Sequence, residues 1–599
     1  MNARYCQVLM NGGRPCNRPL FDLTHCICHS VDPNKDKEAF VREIEKVVSN
    51  TGERVFDFSS FVFNVESPLR NNNINRPLLF KKCKFIADFD YSYKTNINRS
   101  VNFDLAIFYR SCSFAHATFH ENVSFCGTEF KKHHTLLDLS NCNFLGTLRV
   151  ANETKINRVF LCDETKFEQR VSFSNTTFHK AASFSRLEVN SLVDVIGCRF
   201  EEVANFQGIV IKDSVSFRKC HFLGLTVFNG CDIQDELILR HCVYAPKQSF
   251  AKSMFQFNES KVHHKGRLLI SDCSIHETSS FAGSLLDGTI NFHNTVFHGF
   301  VDMSFVRIGK LSFDAAGVPH HRMFESGISL FGIRLSEESI LQFRHIDLRT
   351  ARFVETPMEA VEFIASRWGK PTDELGDERH INSVVTTFKN QDKNAAHNAS
   401  NDEFQRFGLH YEDDISHAYI EVAQVYRRLQ QKYLDYIDPF QAGVFHQKEM
   451  KMVQQAIRYQ IHDVWVKGKR WGGVKGVGLY LLYTIYNHIF RYGESIGLPA
   501  FYLTIILLGT PALLLFLGVS VDGNHIQYIL GMPQANLLEV IKDYFTILRE
   551  VVPVLWFRSH ASEFAGWAGW ILFVEQFLAP FFLTFLILAI RRRFKRKSY

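Results

Sequence analysis

Large apolar side chains recur along the chain at alternating steps of six and five residues. The run reads Phe167, Phe173, Phe178, Phe184, Val189, Val195, Phe200, Phe206, Ile211, Phe217, Phe222, Phe228, Ile233, Leu239, Tyr244, Phe250 and Phe255. The same rhythm passes earlier through Phe103, Phe108, Phe114, Phe119, Phe125 and Phe130, and later through Phe281, Leu286, Phe292 and Phe297. A helix repeats every 3.6 residues and a strand every 2, so neither keeps these positions on one side. A chain that turns a corner after each short extended segment does, with one large side chain per segment aimed at a common axis. Its backbone groups then pair with the coils above and below, about 4.8 Å away.

Two residues before the large position the chain is small. Thr176, Ala182, Ala204, Val215, Thr226 and Ser253 stand there, as do Cys198, Cys220, Cys231 and Cys242. Cys83, Cys112, Cys142 and Cys273 keep the same offset before Phe85, Phe114, Phe144 and Ile275. The offset reads these cysteines as small core residues rather than a redox or metal array. Runs such as Val171-Ser172-Phe173-Ser174-Asn175-Thr176-Thr177-Phe178 and Val215-Ser216-Phe217-Arg218-Lys219-Cys220-His221-Phe222 resemble the pentapeptide-repeat family, in its Phe-rich branch. The resemblance implies a right-handed quadrilateral β-helix over roughly residues 56 to 363. One inserted residue on alternate faces lengthens each coil to about 22 residues. Breaks in the rhythm near Asn71 to Asn75, His133 to Leu139, Asn258 to Leu268 and Ala315 to Arg334 read as loops leaving the column.

Beyond Phe363 the rhythm stops. Residues 366–414 carry Gly369, Pro371 and repeated Asn and Asp, and read as a connector. An α-helical neck is expected over 415–470. Its first helix places Ile420, Val425, Leu429, Tyr433 and Tyr436 on one side and ends at Asp438-Pro439; a second runs from about Gln441 to Asp463. Val425-Tyr426-Arg427-Arg428-Leu429 and Phe445-His446-Gln447-Lys448-Glu449-Met450 resemble a segment of membrane-attached pentapeptide proteins, and their Tyr, Arg and Glu residues read as a helix-hairpin packing set. A membrane domain over 471–599 follows, with a two-helix transmembrane hairpin. Its spans lie near 499–518, which has no charge, and 571–590, interrupted only by Glu575 and Gln576. Val474 to Phe490 reads as an interfacial helix, Tyr544 to Phe557 as a re-entrant or surface helix, and Trp556, Trp567 and Trp570 as interfacial anchors.

Charge orients this arrangement. Arg591, Arg592, Arg593, Lys595 and Arg596, with Lys597, read as membrane-interface anchors, and Lys467, Lys469 and Arg470 precede the first span. The excess of Lys and Arg at both ends of the hairpin places both termini and the β-helix in the cytoplasm of a bacterial inner membrane. Fourteen Cys in 599 residues are too sparse for a disulfide scaffold, and Met1 to Met10 lacks the apolar core of a secretory leader. The 57 Phe, against 9 Met and 6 Trp, fit a single packing position filled again and again. Residues 51–363 hold 35 basic and 34 acidic side chains. Some relatives implied by the resemblance imitate duplex DNA and bind type II topoisomerases, which requires an acidic rod. Near-neutrality argues against topoisomerase mimicry, and the lack of a basic stripe argues against nucleic acid as a partner.

One candidate for metal chemistry precedes the repeats. Within 1–50, Cys6, Cys16, Cys26 and His29, with Cys28 as a substitute, form a donor set suited to a structural zinc; incidental reduced thiols are the other reading. Asp36 to Val48 predicts a short helix with Phe40, Ile44 and Val47 on one side, placed to cover the open first coil of the 51–365 column. No Gly-rich phosphate loop, His-Glu-x-x-His helix or Ser elbow is present, so the sequence reads as non-enzymatic. A selective potassium pore is also excluded, because Arg558-Ser559-His560 occupies the region where its carbonyl filter would lie. Glu575 and Gln576, the intramembrane functional candidates, bond across a bundle or ring a pore. Two functions therefore stand: a membrane-tethered scaffold whose flat faces meet an unidentified cytoplasmic protein partner, and an oligomeric ion channel or membrane-disrupting effector with the β-helix as sensor. A homo-oligomer in the lipid bilayer is expected, since two spans alone cannot enclose a pore.

Overall fold

The structure is a computed structural model. It describes residues 5–67, 69, 75–92, 95–131, 136–245, 255–370, 372–390, 413–436, 438–466, 470–521, 524–527, 536–551 and 567–595. Two compact units result, Met1–Arg379 and His380–Tyr599.

The first unit is a parallel β-solenoid from the strand Phe56–Asp57 to the strand Val361–Ile364. Through most of it each strand pairs in parallel with the strand four places further along the chain, giving four faces per coil. One face is an 11-stranded sheet and another a 12-stranded sheet. The remaining two fuse into a 22-stranded sheet, because Leu285–His293, Arg307–Asp314 and Arg334–Arg344 run straight through what is elsewhere a corner.

Register explains the Phe content. Phe178, Phe200, Phe222 and Tyr244 are direct partners on successive strands, 22 residues apart. Their rings stack at centroid separations of 4.7, 4.9 and 4.7 Å, nearly coplanar in tilt at 3°, 2° and 3°. These separations match the strand spacing, because each ring rides on its own strand and meets the next one face to face. Every described member of the series from Phe167 to Phe255 is buried. Phe250 and Ser253 lie outside the described residues.

The alternation of five and six also has a backbone cause. Asn175, Arg186, Gly197, Gly208, Lys219, Gly230 and His241 adopt positive φ, between 49° and 69°. Each stands two residues after a large core position and inside a five-residue step. The six-residue steps of this stretch contain no such residue. A left-handed residue turns the chain within one fewer residue, at a cost that Asn and Gly bear best.

Three expectations need correction, and one coil departs from the pattern outside the runs read from sequence. Phe255 pairs with Thr226, so it fills the small position, and Phe257 takes the large one opposite Phe228. At one coil the pair is inverted: Phe160 follows Leu137 and precedes Ala182 in register, leaving Cys162 at the large position. Asn258 to Leu268 does not leave the column, since Lys261–Val262 pairs with Asp232–Ile233 and Arg267–Ser271 with Glu236–Arg240. Within Ala315 to Arg334 only the turn around Pro319–His321 departs; Phe324 bridges Phe297 and Ile328–Ser329 pairs with Val301–Asp302. Residues 71–74 and 133–135 of the other two expected loops lie outside the described residues.

Both ends of the column are covered. Helix α1 (Lys37–Ser49) is N-capped by Asp36, whose carboxylate accepts from the Glu38 and Ala39 amides. Its Phe40 packs on Phe61 and Phe63 of the first coil, at 6.4 and 5.6 Å. At the other end Trp368 packs on Phe353 and Phe363, at 5.8 and 5.1 Å. Asp377, at the start of α2 (Gly376–Asn390), accepts from the Phe353 and Val354 amides, and burial raises its carboxyl to about 6. The connector expected over 366–414 therefore begins with a closing element; 391–412 lie outside the described residues.

The second unit is helical. Helices α3 (Asp413–Tyr436) and α4 (Pro439–Val466) pair through stacked Tyr419 and Tyr459 at 5.5 Å and an Arg427–Glu449 ion pair at 3.0 Å. Val425, Leu429 and Tyr433 are buried, but Ile420 is 40% exposed, because Ala418, Tyr419, Val422 and Tyr426 complete the inward side instead. Helix α5 (Arg470–Phe490) follows, tied to α4 by Gln454 donating to Thr484 Oγ1. Helices α6 (Gly497–Leu517) and α8 (Trp567–Lys595) are the two helices, among those described, long and apolar enough to cross a membrane. Between them lie an unforeseen hairpin, Val519–Val521 with Asn524–Ile526, and α7 (Leu537–Val551). Leu514, Leu515, Val519, Ile547 and Leu572 join these parts in one apolar cluster. Trp556, Arg558 to His560, Lys467, Lys469, Arg596 and Lys597 lie outside the described residues.

Candidate metal centre

Residues 5–19 form a small antiparallel hairpin, with Tyr5 bridged to Pro19 and Leu9 to Pro15. The reversal sits at Asn11–Gly13, where Gly12 and Gly13 take φ of 80° and 74°, a conformation that glycine adopts without strain. The hairpin sets Cys6 and Cys16 on neighbouring strands. A tight turn then brings the His29 and Ser30 amides onto the Cys26 carbonyl and places His29 beside Cys26.

The Sγ atoms of Cys6, Cys16 and Cys26 and a ring nitrogen of His29 all lie within 4.8 Å of one another. Nδ1 of His29 is 3.3 Å from Cys6 Sγ and 3.2 Å from Cys26 Sγ, and the Cys16 and Cys26 sulfurs are 3.7 Å apart. A tetrahedral zinc with ordinary bond lengths needs about 3.8 Å between two sulfurs and about 3.6 Å between sulfur and nitrogen. The donor set and its spacing fit a Cys3His structural zinc. Cys28 is buried but outside this group of four.

The surroundings match a site of net negative charge. Three thiolates and one zinc leave a single negative charge, and Arg18 Nη1 stands 3.3 Å from Cys16 Sγ while its Nε reaches Glu43. The neighbouring Cys26 sulfur and burial hold the Cys16 thiol above its ordinary range, so metal uptake must displace protons. Lys35 donates to the carbonyls of Ile27 and Val62 at 2.7 and 2.5 Å and lies 4.0 Å over the Phe40 ring. Burial pulls Lys35 down to about 8. It ties the donor loop to the first coil. His29 stands perpendicular to Phe61 at 5.3 Å, and its buried Nε2 has no hydrogen-bond partner among the described residues.

The remaining sequence candidates separate. The eight repeat cysteines, with Cys126 and Cys162, are buried thiols, none within a metal-binding group among the described residues. Glu575 sits on α8 in a buried stripe with Leu572, Ala579 and Phe582, while Gln576 is half-buried. Arg591, Arg592, Arg593 and Lys595 continue α8 past its apolar stretch. Arg18 and Lys35 were not apparent from sequence; the three-residue spacing of Cys26 and His29 was the available signal for the close pair.

Residues 196–243, two coils of unbroken register, match the family described as pentapeptide repeats (9 copies). The column is a parallel β-solenoid of the pentapeptide-repeat type. Repeats of this family build non-catalytic scaffolds, and the phosphate-loop, zincin and Ser-elbow motifs are absent from the sequence. Searches of the curated proteins and of the solved structures found no match.

Proposed function

We propose that this protein is a scaffold tethered to a bacterial inner membrane, its pentapeptide-repeat column facing the cytoplasm and holding a protein partner on one of its flat faces. The observation that carries this reading is the pairing of a rigid, end-covered column with two helices of spanning length, Gly497–Leu517 and Trp567–Arg591. The outward positions of the column carry ladders of opposite charge, such as Lys166, Glu188 and Lys212, which suit specific but reversible contact. The full-length protein should stay with membranes through high-salt and alkaline washes and leave only with detergent. Photo-crosslinkers placed along each face should capture one discrete protein from one face. Release by salt alone removes the anchored hairpin, and failure to crosslink on all four faces removes the scaffold.

A second reading rests on Glu575. A buried carboxylate oxygen without a hydrogen-bond partner among the described residues is costly in a spanning helix unless another copy, a proton or an ion meets it. On this reading the protein is a homo-oligomeric channel or membrane-disrupting effector with the column as sensor. Liposomes holding it should leak ions, and Glu575→Gln should reduce the leak. Tight liposomes at high protein density, or a monomer in detergent, count against it.

A further inference from the structure

Near the end of the column two cavities of about 350 and 610 Å3 share Arg322, Asp347 and Arg349. The Asp347 amide donates to the His321 carbonyl and the Arg367 amide to the Ile346 carbonyl, at 2.9 and 2.7 Å. Arg322, Asp347 and Arg367 thus stand on three successive coils, and the two arginines flank the aspartate. Asp347 is buried, and its charge is taken up by Arg349, whose Nε and Nη2 donate to it at 2.9 and 2.6 Å. Arg322 and Arg367 are exposed and form no ion pair among the described residues. The smaller cavity is thus lined by two guanidinium groups outside any ion pair among the described residues, with Glu325 and Arg379 on the wall of the larger one.

The floor is shaped rather than incidental. Gly369 has a φ of 77°, and a Cβ there would lie 2.3 Å from Arg349 Cδ and 2.7 Å from Asp373 Oδ2. A side chain at 369 would push the Arg349–Asp347 pair out of place. Asp373, Glu374 and Thr350 also line the larger cavity, Asp373 standing 3.8 Å from Arg349 Nη1. Paired arginines suit phosphate oxygens, and carboxylates suit hydroxyl or amino donors. Both cavities fall in the size range of small-molecule sites.

We propose that this cleft binds a phosphorylated polyol, with phosphate between Arg322 and Arg367 and hydroxyls against Asp373 and Glu374. That chemistry is shared by nucleotides and by inositol phosphate headgroups of lipids. A bound ligand would tie residues 373–379, which lead out of the column, to its last coils. The proposal is independent of the scaffold reading.

The test uses detergent-solubilised full-length protein and calorimetric titration with ADP, inositol trisphosphate and inorganic phosphate. Saturable binding of ADP or inositol trisphosphate is expected, weakening as salt rises. Arg322→Gln with Arg367→Gln should weaken it by about tenfold or more. Glu374→Gln should weaken polyol phosphates and leave inorganic phosphate unchanged. Lys212→Gln, far along the column, serves as the control, and circular dichroism verifies that each variant keeps its strands. Preference for ADP identifies a nucleotide source; preference for inositol trisphosphate, with binding to vesicles containing phosphatidylinositol phosphate, identifies a lipid source. Absence of saturable binding to both polyol phosphates, or binding unchanged in the double arginine variant, overturns the proposal.

Discussion

The two ends of the column face the same problem and solve it with opposite chemistry. Each last coil exposes unpaired backbone groups and a ring of Phe, a template for unwanted strand pairing. At the first coil the backbone's spare carbonyls, including that of Val62, are met by a buried cation, Lys35, beneath a donor cluster fit for zinc. At the last coil the spare amides of Phe353 and Val354 are met by a buried anion, Asp377, beside an indole lid. Each end of a parallel stack offers both donors and acceptors, and at the first coil the Val62 amide donates to the Cys28 carbonyl while Lys35 meets the Val62 carbonyl. Aromatic packing then covers what remains.

The largest break in this comparison is expected from metal removal. Chelation, or Cys26→Ser, should unfold residues 5–30, since zinc supplies on the order of 10 kcal/mol to small sites of this kind. Limited proteolysis should cut there while the strand signal in circular dichroism persists. Trp368→Ala should cost about 3–5 kcal/mol at the other end, read as a lower urea midpoint, with the metal site unaffected.

Acidity should separate the ends next. Asp377 holds its proton up to about 6 when folded, above the ordinary carboxylate value, so the folded state binds more protons in between. The contribution of Asp377 to stability should be fully present below the ordinary value and be lost as pH rises through 6, by roughly 3 kcal/mol in all. Asp377→Asn should flatten that slope. Lys35 behaves oppositely: its folded value of about 8 lies below the ordinary lysine value, so stability should rise from pH 8 towards 10. The smallest effect is Asp36→Ala, about 1 kcal/mol for the lost cap of α1, measured by the same urea titration.

Much of the column was legible because its period belongs to neither helix nor strand. The places that misled are instructive. Phe255 satisfied the five-and-six count beyond Tyr244 but belongs to the other inward position, and a count cannot tell which of two apolar neighbours in Phe255-Gln256-Phe257 pairs with Phe228. Phe160 and Cys162 fall outside every run read from sequence because they exchange sizes within one coil, so volume is kept while the pattern is lost. Ile420 matched a helical stripe, yet the real face is one step round, on Tyr419 and Tyr426. The donor atoms of the metal centre could be named from residue type, whereas Arg18 and Lys35 are placed by a glycine turn and by backbone carbonyls, which leave no spacing signal.

The 22-residue register also governs how such a protein can change length. Phe130 and Ile156 remain partners although 26 residues apart, and Tyr244 and Ile275 although 31 apart. The next coil resumes in phase in both cases. Duplication or deletion of a whole 22-residue block would leave both lids with the same neighbours to grip, so the rod's reach is free to drift through evolution while its ends are not.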